Sequence, residues 1–523
     1  MKFKELTDSD KAKIKEVYLD KSLPWDERMT FIKEFFNKSE RTSRKWLVKL
    51  GLKNQKNIEP EQYQEAKKRK LNPTKKRFLV TWGQNATSPH TKFLDNMEAY
   101  ADFINGEIIC IAGRYKNLSL YDTKENDEYW DDRLLPYLDA NRHNIHKYLS
   151  VMSDIKIQPT AVNPMSGMEG MSKGHSCIFG HPKVHMKTIP VLEGYTPKMI
   201  LTTGSVTKMN YSDSKAGKKS EFHHQFGFVI VEIENDEIFH MRQVTANDSD
   251  GSFYDLYYHV KNGVVNNNNN IEGIVLGDLH YGKHDEKVLE KSFNLLNNLK
   301  PKHVVLHDVF NGESISHHTI DNPFKQYGME VNNKNSLKDE INNMINGLSK
   351  FKKFKNVIIV KSNHDTHLDK FLLNDWRKLP TPKNSIEYME YGKMLLNQYK
   401  NGNNIGVIPE IIKNEFPKYI TLNYNESYTI KGYEVGLHGD IGANGSRGSA
   451  TQFRRLNTKM IAAHTHSPSR FDNVLYSGTS TKLRLSYNNG PSGWLQSHVI
   501  IFPNGKAQHI NFIGKNKSYT TFK

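Results

Sequence analysis

From Ile271 onward, five apolar runs each end in residues able to bind metal ions, and this series constrains the chain more than any other feature. IEGIVLGDLH ends in Asp278-x-His280, HVVLHD in Asp308 and NVIIVKSNHD in Asn363-His364-Asp365. YEVGLHGD carries His438, and MIAAHTHSP carries His464 and His466. The runs read as strands. Active sites of open α/β sheets lie at the carboxyl ends of strands, so five such ends can meet in one crevice. A single D-x-H is ordinarily a turn or a capping pair, and a single histidine beside a strand is ordinarily structural; five in this order point to a metal centre. Carboxylate, imidazole and amide oxygen suit Mn, Fe or Zn. Cys110 and Cys177 are the two cysteines, which excludes a disulfide framework and a thiolate zinc site. Two cations about 3.5–4 Å apart, bridged by one carboxylate, can acidify a hydroxide and neutralise a phosphoryl group. No activated Ser or Cys is evident, so direct attack by metal-bound hydroxide is the expected mechanism.

The pattern D-x-H / D / N-H-D / H / H-x-H resembles the calcineurin-like metallophosphoesterase superfamily over about residues 271–514. The resemblance implies a four-layer α/β/β/α sandwich with two mixed sheets. It implies that Asp278, His280 and His466 bind one metal, that Asn363, His438 and His464 bind a second, and that Asp308 bridges them. His364 is then the general acid on the leaving oxygen or a phosphate ligand, oriented by Asp365. Three positions depart from the family pattern of glycines: His307, Ser362 and Ala463. Asn311 stands where an acidic or His residue often follows the bridging Asp. The short H-x-H-S-P ending and the basic N-terminus look most like the DNA repair nuclease branch. Taken whole, the chain is similar to DNA-degrading enzymes of large tailed bacteriophages, implying a phage-encoded enzyme that degrades host DNA in the host cytoplasm. Two divalent ions are expected, Mn2+ foremost, with Mg, Fe and Zn as alternatives.

At 523 residues the chain is expected to form more than one unit. The expected division is 1–72, basic and helical; 73–265, α/β; and 271–523, catalytic. The formal charge is +16, and residues 1–77 hold 22 Lys/Arg against 12 Asp/Glu, which suggests an anionic partner, DNA first. Met29, Ile32, Phe35 and Phe36 recur at helical spacing. A break at Asn37-Lys38-Ser39 precedes ERTSRKWLVKLGL, where Trp46, Leu47 and Leu50 make an apolar face and Arg41, Arg44, Lys45 and Lys49 lie largely elsewhere. The pair resembles a helix-turn-helix, with those four cations as candidate DNA contacts; a plain amphipathic hairpin fits the same pattern. The N-terminus has no apolar signal segment and no run approaches the ~18 apolar residues of a spanning helix, so a soluble, cytoplasmic protein without a membrane partner is expected.

In the middle region RFLVTW reads as a strand, Phe93 to Ile104 as a helix and EIICIAG as a strand, followed by a strand pair around MILTTGSVTKMNY and FGFVIVEI. Asn266–Asn270 reads as a flexible joint or surface loop. The stretch starting at Leu201 echoes the one starting at Leu475, each with G-x-x-T-K, a polar loop and a Val/Ile-rich strand. An ancient duplication with a degenerate first copy explains this, as does chance likeness between two α/β segments. The first copy has Gly83-Gln84 and Gly113-Arg114 at its strand ends instead of Asp-x-His and Asp, so no metal is expected there. His181, His185, His223 and His224 read as structural.

Candidate substrate contacts near the metals are Asn311, His317, His318, Arg447, Arg454 and Arg455, with the Gly442–Ser449 loop able to approach a phosphate backbone closely. A metal-dependent DNase is the leading reading. A phosphatase or nucleotide phosphodiesterase on a small or protein substrate is a second, and a DNA-binding or host-factor-recruiting protein with secondary hydrolysis a third. A homo-oligomer and a host or phage protein partner fit any of these.

Overall fold

The computed structural model describes residues 3–20, 22–23, 25–52, 61–115, 129–268, 270–375, 377 and 382–522. The chain divides into two compact units, 1–61 and 62–523.

The first unit adds a helix to the expected pair. α1 (Asp8–Leu19) starts in a reciprocal cap between Thr7 and Asp10, and α2 (Trp25–Phe35) and α3 (Glu40–Lys49) follow. Ile14 and Val17 of α1, Met29 and Ile32 of α2, and Trp46 and Leu47 of α3 form one small core. Asn37, at φ +47°, turns the chain between α2 and α3, and the Lys38 amide donates back to the Lys33 carbonyl at 2.9 Å. Phe36 is buried in that core, whereas Phe35, expected on the same face, is 59% exposed.

The second unit begins with α4 (Glu61–Ala66), whose first residue lies at the boundary. Its first half runs β1 (Arg77–Gln84), α5 (Thr91–Phe103), β2 (Glu107–Gly113), β3 (Leu138–Asp139), β4 (Arg142–His146), β5 (Leu149–Met152) and β6 (Ser176–Phe179). It continues through β7 (His185–Ile189), β8 (Lys198–Thr202), α6 (Lys215–His223), β9 (Gly227–Ile233) and β10 (Phe239–Thr245). A meander, β11 (Phe253–Asp255), β12 (Tyr258–Lys261) and β13 (Val264–Asn267), leads onward. The second half runs β14 (Gly273–Val275), α7 (Glu286–Leu299), β15 (His303–His307), α8 (Pro323–Val331), α9 (Leu337–Ser349), β16 (Asn356–Val360) and α10 (Thr366–Leu372). Then come α11 (Ser385–Lys400), α12 (Val407–Glu415), β17 (Ile420–Leu422), β18 (Thr429–Ile430), β19 (Tyr433–Glu434), α13 (Ala450–Phe453), β20 (Lys459–Ala462), β21 (Ser469–Phe471), β22 (Val474–Tyr476), β23 (Ser497–Ile501) and β24 (Ala507–Asn511).

The two halves have the same strand order. The five-stranded sheet runs β10-β9-β1-β2-β3, and the six-stranded sheet, read from its end, runs β24-β23-β14-β15-β16-β17. In both, a parallel pair (β1–β2, β14–β15) adjoins an antiparallel pair (β9–β10, β23–β24). The ten-stranded sheet, β18-β19-β20-β22-β21-β7-β8-β6-β5-β4, is made of two matching five-strand blocks that meet where β21 pairs antiparallel with β7. Residues 73–265 and 271–523, expected as separate domains, therefore share a sheet and lie in one compact unit, whose boundary falls at 61/62 instead of 72/73.

Two local expectations change. The segments MILTTG and FGFVIVEI do not pair, because β8 belongs to the ten-stranded sheet and β9 to the five-stranded one; Ser205 between them bridges to Trp82 and Phe226. The Asn tract is no loop at its start: Asn266 and Asn267 pair with β12, and Asn268 is buried with its amide donated to the Tyr257 carbonyl.

Packing sets the layers. Leu289 and Leu296 of α7, with Ile341 and Leu348 of α9, cover Ile274 and Val304 on one face of the six-stranded sheet. The opposite face, with Val275, Val305 and Ile358, packs on Ile430, Ile461 and Leu475 of the ten-stranded sheet. In the first half Phe93 and Met97 of α5 cover Leu79 and Ile108, and Val80 and Ile109 pack on Val151, Ile178 and Leu201. The outer face of the ten-stranded sheet has thin cover, Phe453 of α13 in one half and Met165 in the other. The fold is thus mixed α/β. Among the described residues, no helix is long and apolar enough to cross a membrane.

Candidate metal centre

All five expected strands form, but from two sheets: β14, β15 and β16 lie parallel in one, and β19 and β20 lie parallel in the other. Their carboxyl ends face each other across the packed interface, so the residues that follow them meet. Asp278, His280, Asp308 and His466 form one buried group of potential ligand atoms, and Asp308, His438 and His464 a second, with Asp308 common to both. Asp308 Oδ2 lies 3.3 Å from His280 Nε2 and 3.2 Å from His438 Nε2. His466 Nε2 lies 3.0 Å from Asp278 Oδ2 and 3.1 Å from His280 Nε2. The His464 amide donates to Asp278 Oδ2 at 2.9 Å.

The backbone is bent to achieve this. His280, Asp308, His464 and His466 all adopt positive φ, at +42°, +46°, +73° and +56°. Non-glycine residues hold such angles only where the surroundings impose them, and such strain clusters at functional sites. Gly277, just before Asp278, is required by close approach: a Cβ there would sit 2.7 Å from the Ser497 carbonyl oxygen and the Thr479 amide nitrogen.

The donor set fits divalent cations. Asp278 Oδ1, Asp308 Oδ1, Asn363 Oδ1, His280 Nδ1 and His466 Nδ1 are buried without a hydrogen-bond partner, a concentration that ordinary cores avoid. Burial works against charge on Asp308, but His438 and His280 beside it hold the carboxyl well below its ordinary range. Burial likewise opposes Asp278, and the hydrogen bond from His466 keeps it below the ordinary value. Burial disfavours protonated His438, yet Asp308 outweighs this and moves the ring up to about 10. His280, dominated by burial, falls to about 3. The centre therefore gathers two buried carboxylates kept in their charged form by the histidines around them. Buried Asp and His groups of this kind are compatible with a bound divalent ion.

His364 borders the group, its ring centroid 4.5 Å from that of His280. Its Nδ1–H donates to the Asn311 carbonyl at 2.7 Å. Asp365 does not orient it: that carboxylate is buried, accepts the Ser362 amide at 2.9 Å, and is pushed up by burial to about 7. Asn311 is buried, and its carbonyl acts on His364. The loop around it is pinned by Glu340 of α9, which accepts the Glu313 amide at 2.8 Å, the Ser314 amide at 3.1 Å and the Ser314 hydroxyl. The sequence carries no sign of Glu340's role, since nothing in α9 marks it as a partner of a loop far upstream. His307 is fully buried against His438, with the two Nδ1 atoms 3.4 Å apart, and does not line the cavity beside the centre.

Beside the centre a cavity of about 710 Å³ is lined by Asn311, His318, Lys325, Asn363, His364 and Tyr487, among others. His317 is exposed, its ring tilted by 41° against that of His318 with the centroids 3.8 Å apart. Arg447 is exposed on the Gly442–Ser449 loop and is not among the residues lining this cavity. Arg454 is drawn elsewhere: its guanidinium donates at 3.0 Å to Asp472, a buried carboxylate that also holds His185 and His223. Arg455 is exposed. In the first unit Lys49 is exposed, and the side chains of Arg41, Arg44 and Lys45 lie outside the described residues.

The first half supplies no comparable group among its described residues. Phe179 pairs with Thr202 as Ala462 pairs with Tyr476, which sets His181 and Lys183 in the places of His464 and His466. Lys183 donates to the Ala161 carbonyl at 2.7 Å, and His181 Nε2 lies 3.3 Å from the Gln158 carbonyl.

No family model matches the chain, and neither does any solved structure. The chain is similar to Protein A1 of Escherichia phage T5, with 30% identity over 459 residues that cover 84% of this chain and 82% of the relative. At that identity and coverage, the chain belongs to the same bacteriophage protein family as Protein A1.

Proposed function

We propose that the chain is a two-metal phosphodiesterase that cleaves DNA, with the second half of the 62–523 unit a metallophosphoesterase fold of the calcineurin-like kind and the first half a degenerate copy of it. The observation that carries this reading is the pair of buried ligand groups sharing Asp308 at strand ends from two facing sheets. The matching strand orders support the copy. Two divalent cations, Mn2+ first, would supply Lewis acidity and a nucleophile at neutral pH. Asp278, His280 and His466 would hold one, Asn363, His438 and His464 the other, and Asp308 both.

The chain's own groups then do the following. His364, with Nδ1–H fixed on the Asn311 carbonyl, presents Nε2 to pass a proton to the leaving oxygen. His307 steadies the ring of His438. Asp365 holds the turn that carries Asn363 and His364 through the Ser362 amide. DNA is favoured as substrate by the net charge of +16. Membership of a phage family is consistent with action on host DNA.

The test incubates the full chain with linear plasmid, closed circular plasmid and bis(p-nitrophenyl) phosphate, with Mn2+ and then with EDTA. EDTA-sensitive DNA cleavage that is lost in Asp308→Ala and His364→Ala is expected. Ester hydrolysis with all DNA left intact, or cleavage unaffected by Asp308→Ala, refutes it.

A further inference from the structure

Most of the net positive charge at the start of the chain lies beyond the first unit. Residues 1–61, the first unit, hold fifteen Lys/Arg against eleven Asp/Glu, a balance of +4. Residues 67–77, KKRKLNPTKKR, hold seven Lys/Arg and no acid, +7 in eleven positions. That segment belongs to the second unit, between α4 and β1.

The segment is a built ridge. Arg69 turns inward, donating from Nη2 to Glu107 Oε1 at 3.1 Å and to the Ile108 carbonyl at 2.8 Å. The Asn72 backbone N–H donates to Glu107 Oε2 at 3.0 Å, and Asn141 Nδ2 donates to the Arg69 carbonyl at 3.1 Å. Arg77 donates to the Ile104 carbonyl and to Thr521. Glu107, the carboxylate closest to the ridge in these contacts, is thus spent on holding it. Two further acids nearby are paired too, Asp139 with His143 at 2.7 Å and Asp154 with Arg142 at 2.9 Å, while Glu65 of α4 is exposed. Lys68, Lys70 and Lys76 remain exposed, with no acidic partner among the described residues. Beside them lies a recess of about 590 Å³ lined by Lys70, Asn72, Lys75, Asn141, Arg142 and Asn144.

We infer that this ridge and recess, on the half without metal ligands, bind the phosphodiester backbone of the DNA substrate. The inference rests on the reading of the chain as a DNA-cleaving enzyme, and under it the first half holds the strand that the second half cuts. Exposed lysines on a segment held in place by Arg69 and Arg77 suit phosphates, which position a nucleic acid without reading its sequence. A recess edged by Lys70, Lys75 and the side chains of Asn72, Asn141 and Asn144 offers both charge and neutral donors to phosphate oxygens.

The test measures binding of a fluorescent DNA duplex to the full chain in EDTA, across a KCl series, for wild type, Lys68→Ala/Lys70→Ala/Lys76→Ala, and a charge-matched control, Lys393→Ala/Lys400→Ala/Lys413→Ala. Unchanged thermal midpoints show that all three fold. Each lost phosphate contact lowers the slope of log K against log salt by ~0.9, so the ridge variant is expected to lose about 2–3 slope units while the control keeps the wild-type slope. A ridge variant that binds like wild type overturns the inference and leaves the DNA reading standing, as does an equal loss in the control. Wild type that binds no DNA at low salt overturns both.

Discussion

Removing the Asp308 carboxylate should abolish both metal sites at once, whereas removing an outer ligand should abolish only one. Asp308 is common to the two buried groups, its Oδ2 within 3.3 Å of His280 and 3.2 Å of His438. Asn363 follows β16 and, on the proposed division, serves a single site. A ligand that binds only the folded state stabilises it by about 2.7 kcal/mol at a hundred times its Kd. Two filled sites then give about 5.4 kcal/mol. Asn363→Ala should keep about 2.7 kcal/mol of this and Asp308→Ala close to none. Urea unfolding with Mn2+ and with EDTA measures the increments, and equilibrium dialysis counts the metal: two per chain, one in Asn363→Ala and none in Asp308→Ala. If Asp308→Ala retains an increment and a count equal to those of Asn363→Ala, the carboxylate is not shared and the assignment fails.

Two further predictions concern residues outside the ligand set. Glu340→Ala frees the loop that presents the Asn311 carbonyl to His364, so turnover of bis(p-nitrophenyl) phosphate should fall on the order of 10–100-fold, the scale expected of a small misplacement, while the dialysis count stays at two. Undiminished turnover would show that the loop does not position His364. His224, His498 and His509 are buried, and burial lowers them to about 4, 3 and 4. An unfolded histidine takes its proton near pH 6.5, so their contribution to stability is complete above about 6.5 and is lost as pH falls through the folded values near 4. The urea midpoint in EDTA should decline over that window; a flat midpoint between pH 7 and 4.5 would contradict it.

The strands bearing the candidate ligands were legible because Asp, Asn and His directly after apolar runs are rare, and all five runs became strands. Which sheet each joined was not legible. β19 and β20 sit in the ten-stranded sheet because their apolar residues face Val275 and Val305 across an interface, and a pattern along one strand does not name the sheet opposite. The same blindness separates β8 from β9. Arg454 looked available from its neighbours in sequence, but Asp472, eighteen residues on, holds it. Asp365 looked like the partner of adjacent His364; the turn directs it to the Ser362 amide instead, and a carbonyl 53 residues away fixes the histidine. Charge counted over 1–77 was real, but the count could not say that most of it lies beyond the first compact unit.

The pairing of β21 with β7 has one more consequence. When two identical chains assemble around a twofold axis, every substitution appears on both sides, and neither surface can specialise without altering the other. Here the two blocks are encoded by separate stretches of one chain and held in register by backbone hydrogen bonds. Each can drift alone. His464 and His466 can stay in place while the matching positions hold His181 and Lys183, and a basic ridge can arise on one side without crowding the other.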